Sequence, residues 1–215
     1  PGSEGVLSAV PARIEQMSGG VFVGRGCEVG LIGQMVKEAE GDSGPRVVLV
    51  NGEAGIGKST LVAHVARAAA EAGSLVILGH CSEEATTAFR PWREVFGGLV
   101  GSMPDHVLES HVATHGLVLA MLVPLLPERV GRRAPTLGDD PQSERYALFS
   151  AALDLLVRAS AEMPLVAVLD DLHWADPPSL ALLRHVAKSA DPSVGAGNVP
   201  RRRCRGGECA GGHTR

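Results

Sequence analysis

Residues 52–59 of the chain read Gly52-Glu53-Ala54-Gly55-Ile56-Gly57-Lys58-Ser59. This stretch satisfies every fixed position of the phosphate-binding pattern G-x-x-x-x-G-K-[ST]. Glycines let such a loop wrap so that successive backbone N–H groups point inward at phosphate oxygens. The lysine of the pattern reaches the β- and γ-phosphates and the hydroxyl ligates Mg²⁺, so we predict these roles for Lys58 and Ser59. A glycine-rich turn without a ligand is the alternative interpretation.

The flanking sequence suits this loop. Residues 46–51 (RVVLVN) form an apolar, β-branched run of the kind found in strands buried on both faces. A helix is expected from about Lys58 to Ala72, where its N-terminus attracts the same anion, and a second buried strand over Leu75–Leu78. This alternation of strand, turn, helix and strand is typical of a parallel sheet with helical crossovers.

A second signal lies about 110 residues further on. Residues 165–169 are an apolar run expected to form a strand, and Asp170 and Asp171 close it. Carboxylates at the end of a strand suit a Mg²⁺-nucleotide site. We therefore predict Asp170 as a Mg²⁺ ligand and Asp171 as the residue that orients an attacking water. A plain strand-ending turn is the alternative.

Composition and charge exclude other classes of protein. The 215 residues are 45% hydrophobic but only 3% aromatic, which argues against nucleic-acid binding by stacking. The net charge of the whole chain is −4, and residues 200–215 contribute +4 through five Arg and one Glu. Residues 1–199 therefore carry a net charge of −8 and offer no basic surface for nucleic acid. The longest apolar run, 117–126, is too short to cross a bilayer. We expect a soluble, cytoplasmic protein without a membrane partner.

Together these segments resemble a known family. GEAGIGKST (52–60) and VLDDLHWADPPSLALLRH (168–185) are similar to the ATPase module of STAND-type, AAA+-related bacterial regulators. These include LuxR-family transcriptional activators with an N-terminal ATPase and modules fused to adenylate cyclases. Residues 21–28 (VFVGRGCE) resemble the hhGRxxE element that opens that module. The resemblance covers residues 21–190.

The resemblance implies a fold, ligands and partners. The fold would be α/β, a three-layer αβα P-loop NTPase of the ASCE type with a parallel sheet. The ligands would be ATP or ADP with Mg²⁺. The loop from Gly52 to Thr60 would bind the nucleotide, and Gly24, Arg25 and Glu28 would lie beside the adenine and ribose. The family works as nucleotide-controlled switches, and DNA would be bound only through a C-terminal domain absent from this chain. Self-association through the ATPase module is left open.

Three regions are expected along the chain. Residues 1–20 are rich in Gly, Ser and Pro and are interpreted as a disordered leader, and residues 21–190 as the ATPase domain. Residues 191–215 lose the apolar pattern, so the C-terminal part of the family's sheet is expected to be missing. We interpret this last region as a disordered tail, either out-of-frame sequence or an arginine-rich nucleic-acid segment.

Further helices are expected from apolar spacing over 28–40 and 143–162, and over 176–190 with Asp176 as the N-cap. Weaker candidates have two interpretations each. His173 would lie near the γ-phosphate or pack in a loop. His111 and His115, spaced i and i+4, would bind a metal or lie on a solvated helix face. Four arginines would contact the γ-phosphate or be solvated helix charges: Arg90, Arg93, Arg145 and Arg158.

These observations predict an ATP-binding, slowly ATP-hydrolysing switch domain of a STAND/LuxR-type regulator, truncated before its lid and DNA-binding domains. Lys58 and Asp171 would carry catalysis, and Ser59 and Asp170 would hold Mg²⁺. A non-enzymatic nucleotide-binding fragment, or the ATPase module of a cyclase-associated signalling protein, is the alternative.

Overall fold

The computed structural model describes residues 10–18, 24–39, 46–84, 87–132, 140–189 and 197–198. The helices in these ranges are α1 (Ala12–Met17), α2 (Gly26–Ala39), α3 (Lys58–Glu71), α4 (Arg90–Ser102), α5 (Asp105–His115), α6 (Leu125–Arg129), α7 (Pro141–Glu162) and α8 (Pro177–Ser189). The strands are β1 (Val48–Leu49), β2 (Leu75–His80), β3 (Leu165–Asp170) and β4 (Gly197–Asn198). Short 3-10 helices cover Val118–Met121 and Leu172–Trp174.

All pairing between the described strands is parallel. β2 pairs with β3 over six residues, from Leu75 opposite Leu165 to His80 opposite Asp170. β1 pairs with β4 over two residues, Val48 opposite Gly197 and Leu49 opposite Asn198. β1 and β3 are not hydrogen-bonded to each other in the described part of the chain. Parallel strands need crossover connections, and helices supply them here.

Helices pack on both faces of the β2–β3 pair because successive strand side chains point to opposite faces. Val76 and Val168 lie on one face, in a core with Ala63 and Ala66 of α3. On the other face Leu75 and Ile77 join a larger core with α4, α5, α7 and α8, built from residues that include Phe96, Leu99, Leu108, Leu155 and Leu182. This helix–sheet–helix layering is the α/β arrangement expected of a P-loop NTPase.

Most of the expected elements lie within two residues of their predicted ends. α3 begins at Lys58, directly after the glycine-rich turn, and α7 ends at Glu162. The Asp176 N-cap is confirmed: its Oδ1 accepts a hydrogen bond from the Ser179 N–H at 2.9 Å, and its Oδ2 from the Ser179 hydroxyl at 2.6 Å. β1 is shorter than the apolar run 46–51 suggests, since its pairing extends over two residues only.

The interpretation of residues 1–20 as a disordered leader does not hold for 12–17. These residues form α1, and Ile14 is completely buried against α3 in the core with Ala63 and Ala66. Val10 and Met17 pack on the same core, so apolar spacing gave a signal that the Gly-, Ser- and Pro-rich composition obscured. Residues 1–9 and 19–20 lie outside the described residues, as do 191–196 and 199–215 of the proposed tail. Within that tail, 197–198 form β4 and pair with β1, so the interpretation as disordered does not hold for these two residues.

Within the described ranges, no helix combines the length and the hydropathy needed to cross a membrane.

Candidate nucleotide-binding site

The glycine-rich loop between β1 and α3 has the backbone that its sequence predicts. Gly55 and Gly57 have φ of +74° and +85°, a left-handed region that side chains with a Cβ rarely adopt. Gly57 directly precedes α3, and no side chain caps that helix. The backbone N–H groups of its first turn therefore remain available to an anion.

Lys58 lies across the mouth of this loop. It is the first residue of α3, and its Nζ donates hydrogen bonds to the carbonyl oxygens of Gly52 and Glu53, each at 3.0 Å. A lysine held by two loop carbonyls can exchange them for phosphate oxygens with little movement of its stem. Ser59 and Thr60 follow in the first turn of α3 and are half-buried.

The strand-ending carboxylates share a cavity with the loop. Asp170 is the last residue of β3, and Asp171 has a left-handed φ of +56°. A cavity of about 750 Å³ is lined by both carboxylates and by Lys58 and Ser59. It is also lined by loop residues Gly52, Ala54 and Gly55. This volume is in the usual range for a small-ligand or cofactor site.

The GRxxE element contacts the loop through its arginine. The Arg25 guanidinium donates a hydrogen bond to the carbonyl oxygen of Ile56. Gly24 has a φ of +85°, and Glu28 lies half-buried in the first turn of α2. None of these three residues lines the cavity itself. Residues 21–23 of the element are outside the described residues.

The remaining predicted loop residues do not line the cavity. Glu53 and Ile56 are exposed, while Gly57 is half-buried. They and Thr60 are not among the cavity-lining residues. Their predicted contribution is thus through backbone N–H groups.

Sequence reasoning missed His80 as a neighbour of the carboxylates. It is the last residue of β2 and pairs in register with Asp170, and its Nδ1 is 3.9 Å from Oδ2 of Asp171. The His80 backbone N–H donates to Oε2 of Glu94 at 2.7 Å. The signal was the equal position of His80 and Asp170 at the ends of two apolar strands, but their adjacency depends on strand order, which the sequence does not state.

The pKa of the Cys81 thiol reflects its burial and the negative charges at the carboxyl ends of β2 and β3. Burial first, and then the negative charges of Asp176, Asp171 and Asp170, together raise its pKa to about 11. The carboxyl ends of β2 and β3 are therefore a region of negative potential. Such a region favours a bound cation.

His173 lines the cavity, with its Nδ1 4.0 Å from Oδ1 of Asp171 and 65% of its side chain exposed. Its ring also packs against that of Trp174 at 5.0 Å between centroids. Both of its interpretations therefore remain.

The four arginine candidates lie away from the cavity. Arg90 contacts Glu94 and Ser82, Arg93 donates to the Met121 carbonyl, and Arg158 donates to Asp154. Arg145 is exposed. Arg93 joins α4 to the 3-10 helix Val118–Met121, and Arg158 joins α7 to α5 through Ser110 and Thr114, contacts that their sequence positions did not indicate.

The prediction that His111 lies on a solvated helix face is wrong. Its side chain is completely buried, and its Nδ1 is 2.8 Å from Oδ2 of Asp154 on α7. Burial lowers the pKa of His111, although the hydrogen bond with Asp154 opposes the shift. His115 stacks on His111 and lies 3.6 Å from the same oxygen. Because Arg158 also binds this carboxylate, at 2.6 Å, the cluster is an ion-pair network without an evident metal position.

Comparison with known proteins gives a family but few described relatives. An uncharacterized protein from Rhizobium meliloti (strain 1021) is 29% identical over 187 residues, which is 79% of this chain. The aligned region is 17% of that protein, so the chain spans about a sixth of the relative's length. No solved structure matches. The model of the AAA ATPase domain family matches residues 21–196, from the GRxxE element past the Asp170-Asp171 pair. With most of its length matched, and with the loop and carboxylates on one cavity, the chain belongs to the AAA ATPase domain family.

Proposed function

We propose that the chain is an ATP-binding, slowly hydrolysing switch module of a STAND/LuxR-type bacterial regulator that acts in the cytoplasm. The observation that carries the proposal is the single cavity lined by Lys58, Ser59, Asp170 and Asp171. A phosphate loop alone would support nucleotide binding. The carboxylates on the same cavity add the groups that hydrolysis needs.

The donor set fits a magnesium nucleotide. Ser59 supplies a hydroxyl oxygen and Asp170 a carboxylate oxygen, both hard ligands that Mg²⁺ prefers. When bound, Mg²⁺ supplies positive charge to the phosphate oxygens. Lys58 would leave the carbonyls of Gly52 and Glu53 to bind the same phosphates.

Asp171 is proposed to prepare the attacking water. Its carboxylate would accept a hydrogen bond from a water in line with the γ-phosphorus, and the bond from that phosphorus to the β–γ bridging oxygen would break as the new P–O bond forms. Positioning and charge are most of phosphoryl-transfer catalysis. Turnover is expected to be slow, because the four arginine candidates Arg90, Arg93, Arg145 and Arg158 do not line the cavity.

The regulator context rests on resemblance. The motifs at 52–60 and 168–185 are similar to those of STAND-type regulators. The relative is about six times longer than the region aligned here, which suits a module within a longer signalling protein. DNA binding would belong to another domain, and the choice of adenine over guanine rests on the same resemblance.

Thermal unfolding with and without Mg-ATP tests nucleotide binding. A ligand at 100 times its Kd should stabilise the chain by about 2.7 kcal/mol. We expect this shift in the parent and in Lys188→Ala, whose exposed lysine lies at the end of α8. We expect none in Lys58→Ala. An equal shift in all three variants would place the nucleotide elsewhere, and no shift in the parent would refute the proposal.

Phosphate release separates the switch ATPase from a non-enzymatic nucleotide-binding fragment. We expect slow release from the parent and at least a 100-fold loss in Asp171→Asn, with the ATP-induced stabilisation kept. Binding without any release would favour the fragment. Equal release from parent and Asp171→Asn would remove Asp171 from the mechanism.

A further inference from the structure

The carboxyl ends of β2 and β3 bring together three metal-ligating side chains, from His80, Asp170 and Asp171. One ring nitrogen of His80 and one oxygen of each carboxylate all lie within 4.8 Å of one another. Ligands about 2.1 Å from one ion are about 3 to 4 Å apart. Small side-chain rotations would therefore suffice to bring the three atoms onto one ion.

His80 has the features of a ligand rather than of a packing residue. Its Nδ1 is buried and has no hydrogen-bond partner within the described residues, and the nearest charged atom is Oδ2 of Asp171 at 3.9 Å. A buried polar atom without a partner is costly. A metal ion between this nitrogen and the carboxylates would satisfy it.

The backbone holds this arrangement from two sides. The in-register pairing of His80 with Asp170 puts both side chains on one face of the strand pair. Glu94 of α4 accepts the His80 backbone N–H at 2.7 Å, which fixes the end of β2. Asp171, the residue after Asp170, has a left-handed φ of +56°.

We infer that His80, Asp170 and Asp171 form a mixed nitrogen–oxygen site that binds a divalent first-row transition-metal ion without nucleotide, with Mn²⁺ as the probe ion. The imidazole is the discriminating ligand, because nitrogen favours first-row transition metals while Mg²⁺ prefers an all-oxygen shell. The inference shares Asp170 and Asp171 with the proposed function but does not depend on nucleotide binding.

Manganese binding to the full chain in the absence of nucleotide tests the site. Free Mn²⁺ gives a six-line electron paramagnetic resonance signal that is lost on binding, and spin-echo modulation from ¹⁴N reports a bound imidazole. We expect one ion per chain with nitrogen modulation, and retention of the ion in a 100-fold excess of Mg²⁺. His80→Gln should weaken binding at least tenfold, remove the modulation and let Mg²⁺ displace the ion.

Two variants separate this result from its alternatives. His173→Gln removes the exposed histidine near Asp171 and should change neither affinity nor modulation. Lys58→Ala should lose ATP binding yet keep Mn²⁺, so failure of the nucleotide site and failure of the metal site are distinguishable. No binding, or binding without ¹⁴N modulation that His80→Gln leaves unchanged, would overturn the inference. Circular dichroism of each variant verifies that it is folded.

Discussion

Gly79 lies where β2 passes beneath α4, and this close approach explains why the position holds glycine. A Cβ built there would be 2.3 Å from the Pro91 carbonyl oxygen and 2.9 Å from its carbon. Both are backbone atoms that cannot rotate away. The approach also positions the next residue, His80, whose N–H reaches Glu94 of the same helix.

Replacement of Gly79 by Ala is expected to lower the free energy of unfolding by about 3 kcal/mol, since one of the two backbones must shift. Gly97→Ala is the matched control, because Gly97 lies in α4 and a Cβ added to it would meet nothing within 4 Å. That change should stabilise the chain by up to about 1 kcal/mol. Urea unfolding measures both. Equal effects would show that β2 and α4 are not in close contact.

Cys81 is expected to be unreactive at neutral pH. With the pKa raised to about 11, mainly by burial and further by Asp176 and Asp171, the thiolate fraction at pH 8 is about one in a thousand. Iodoacetamide labelling followed by peptide mass spectrometry should show slow modification of Cys81 in the native chain and fast modification in urea. Fast native labelling would contradict both its burial and the negative potential beside it.

At the scale of elements, the sequence predicted much of the fold because local signals and tertiary packing agree. The start of α3, the Asp176 cap and the buried strands β2 and β3 all follow from local composition. α1 was missed because the Gly-, Ser- and Pro-rich composition around it obscured its apolar spacing, and because its burial depends on α3, about 50 residues away. The prediction for His111 was wrong for a similar reason, because its partner Asp154 lies 43 positions further along the chain. His80 was overlooked because its neighbour Asp171 lies 91 positions away.

Helices α5 and α7 are joined by a polar network that should make stability depend on pH. Burial lowers the pKa of His111, and its hydrogen bond to Asp154 only partly opposes this. Burial raises the pKa of Asp154, but hydrogen bonds from Arg158 and His111 outweigh it and lower the pKa. For both groups the unfolded state binds protons more readily, so stability falls as pH falls.

The His111 contribution is present above its unfolded pKa of about 6.5 and should be lost progressively below that. His111→Gln should therefore flatten the dependence of unfolding free energy on pH between 8 and 5.5. His106→Gln is the control, because His106 is 70% exposed and only approaches Glu162 at 3.5 Å. Urea titrations at several pH values measure this. A parallel decline in the parent and in His111→Gln would exclude the network as the cause.

At the scale of the whole molecule, the β2–β3 pair is well packed, whereas β1 makes fewer stabilising contacts in the described residues. The β2–β3 pair is covered by helices on both faces, whereas β1 is attached to it through α3 rather than by hydrogen bonds in the described residues. Side chains of β1 and β3 line the 750 Å³ cavity on one side and a second cavity of about 690 Å³ on the other. Among the described residues, the two motif-bearing strands therefore border the same two cavities.

This difference predicts unequal protection from amide hydrogen exchange. β2 pairs over six residues and is largely buried, while β1 pairs over two and its Leu49 is 42% exposed. Exchange followed by mass spectrometry should be much slower in peptides covering 75–80 than in those covering 46–51. Mg-ATP should slow exchange at 52–60 and in β1 while leaving 75–80 unchanged, because a ligand joining the loop to Asp170 bridges the two strands. Equal protection of β1 and β2 without nucleotide would contradict this prediction, because β1 would then already be as stable as β2 before a ligand bridges the two strands.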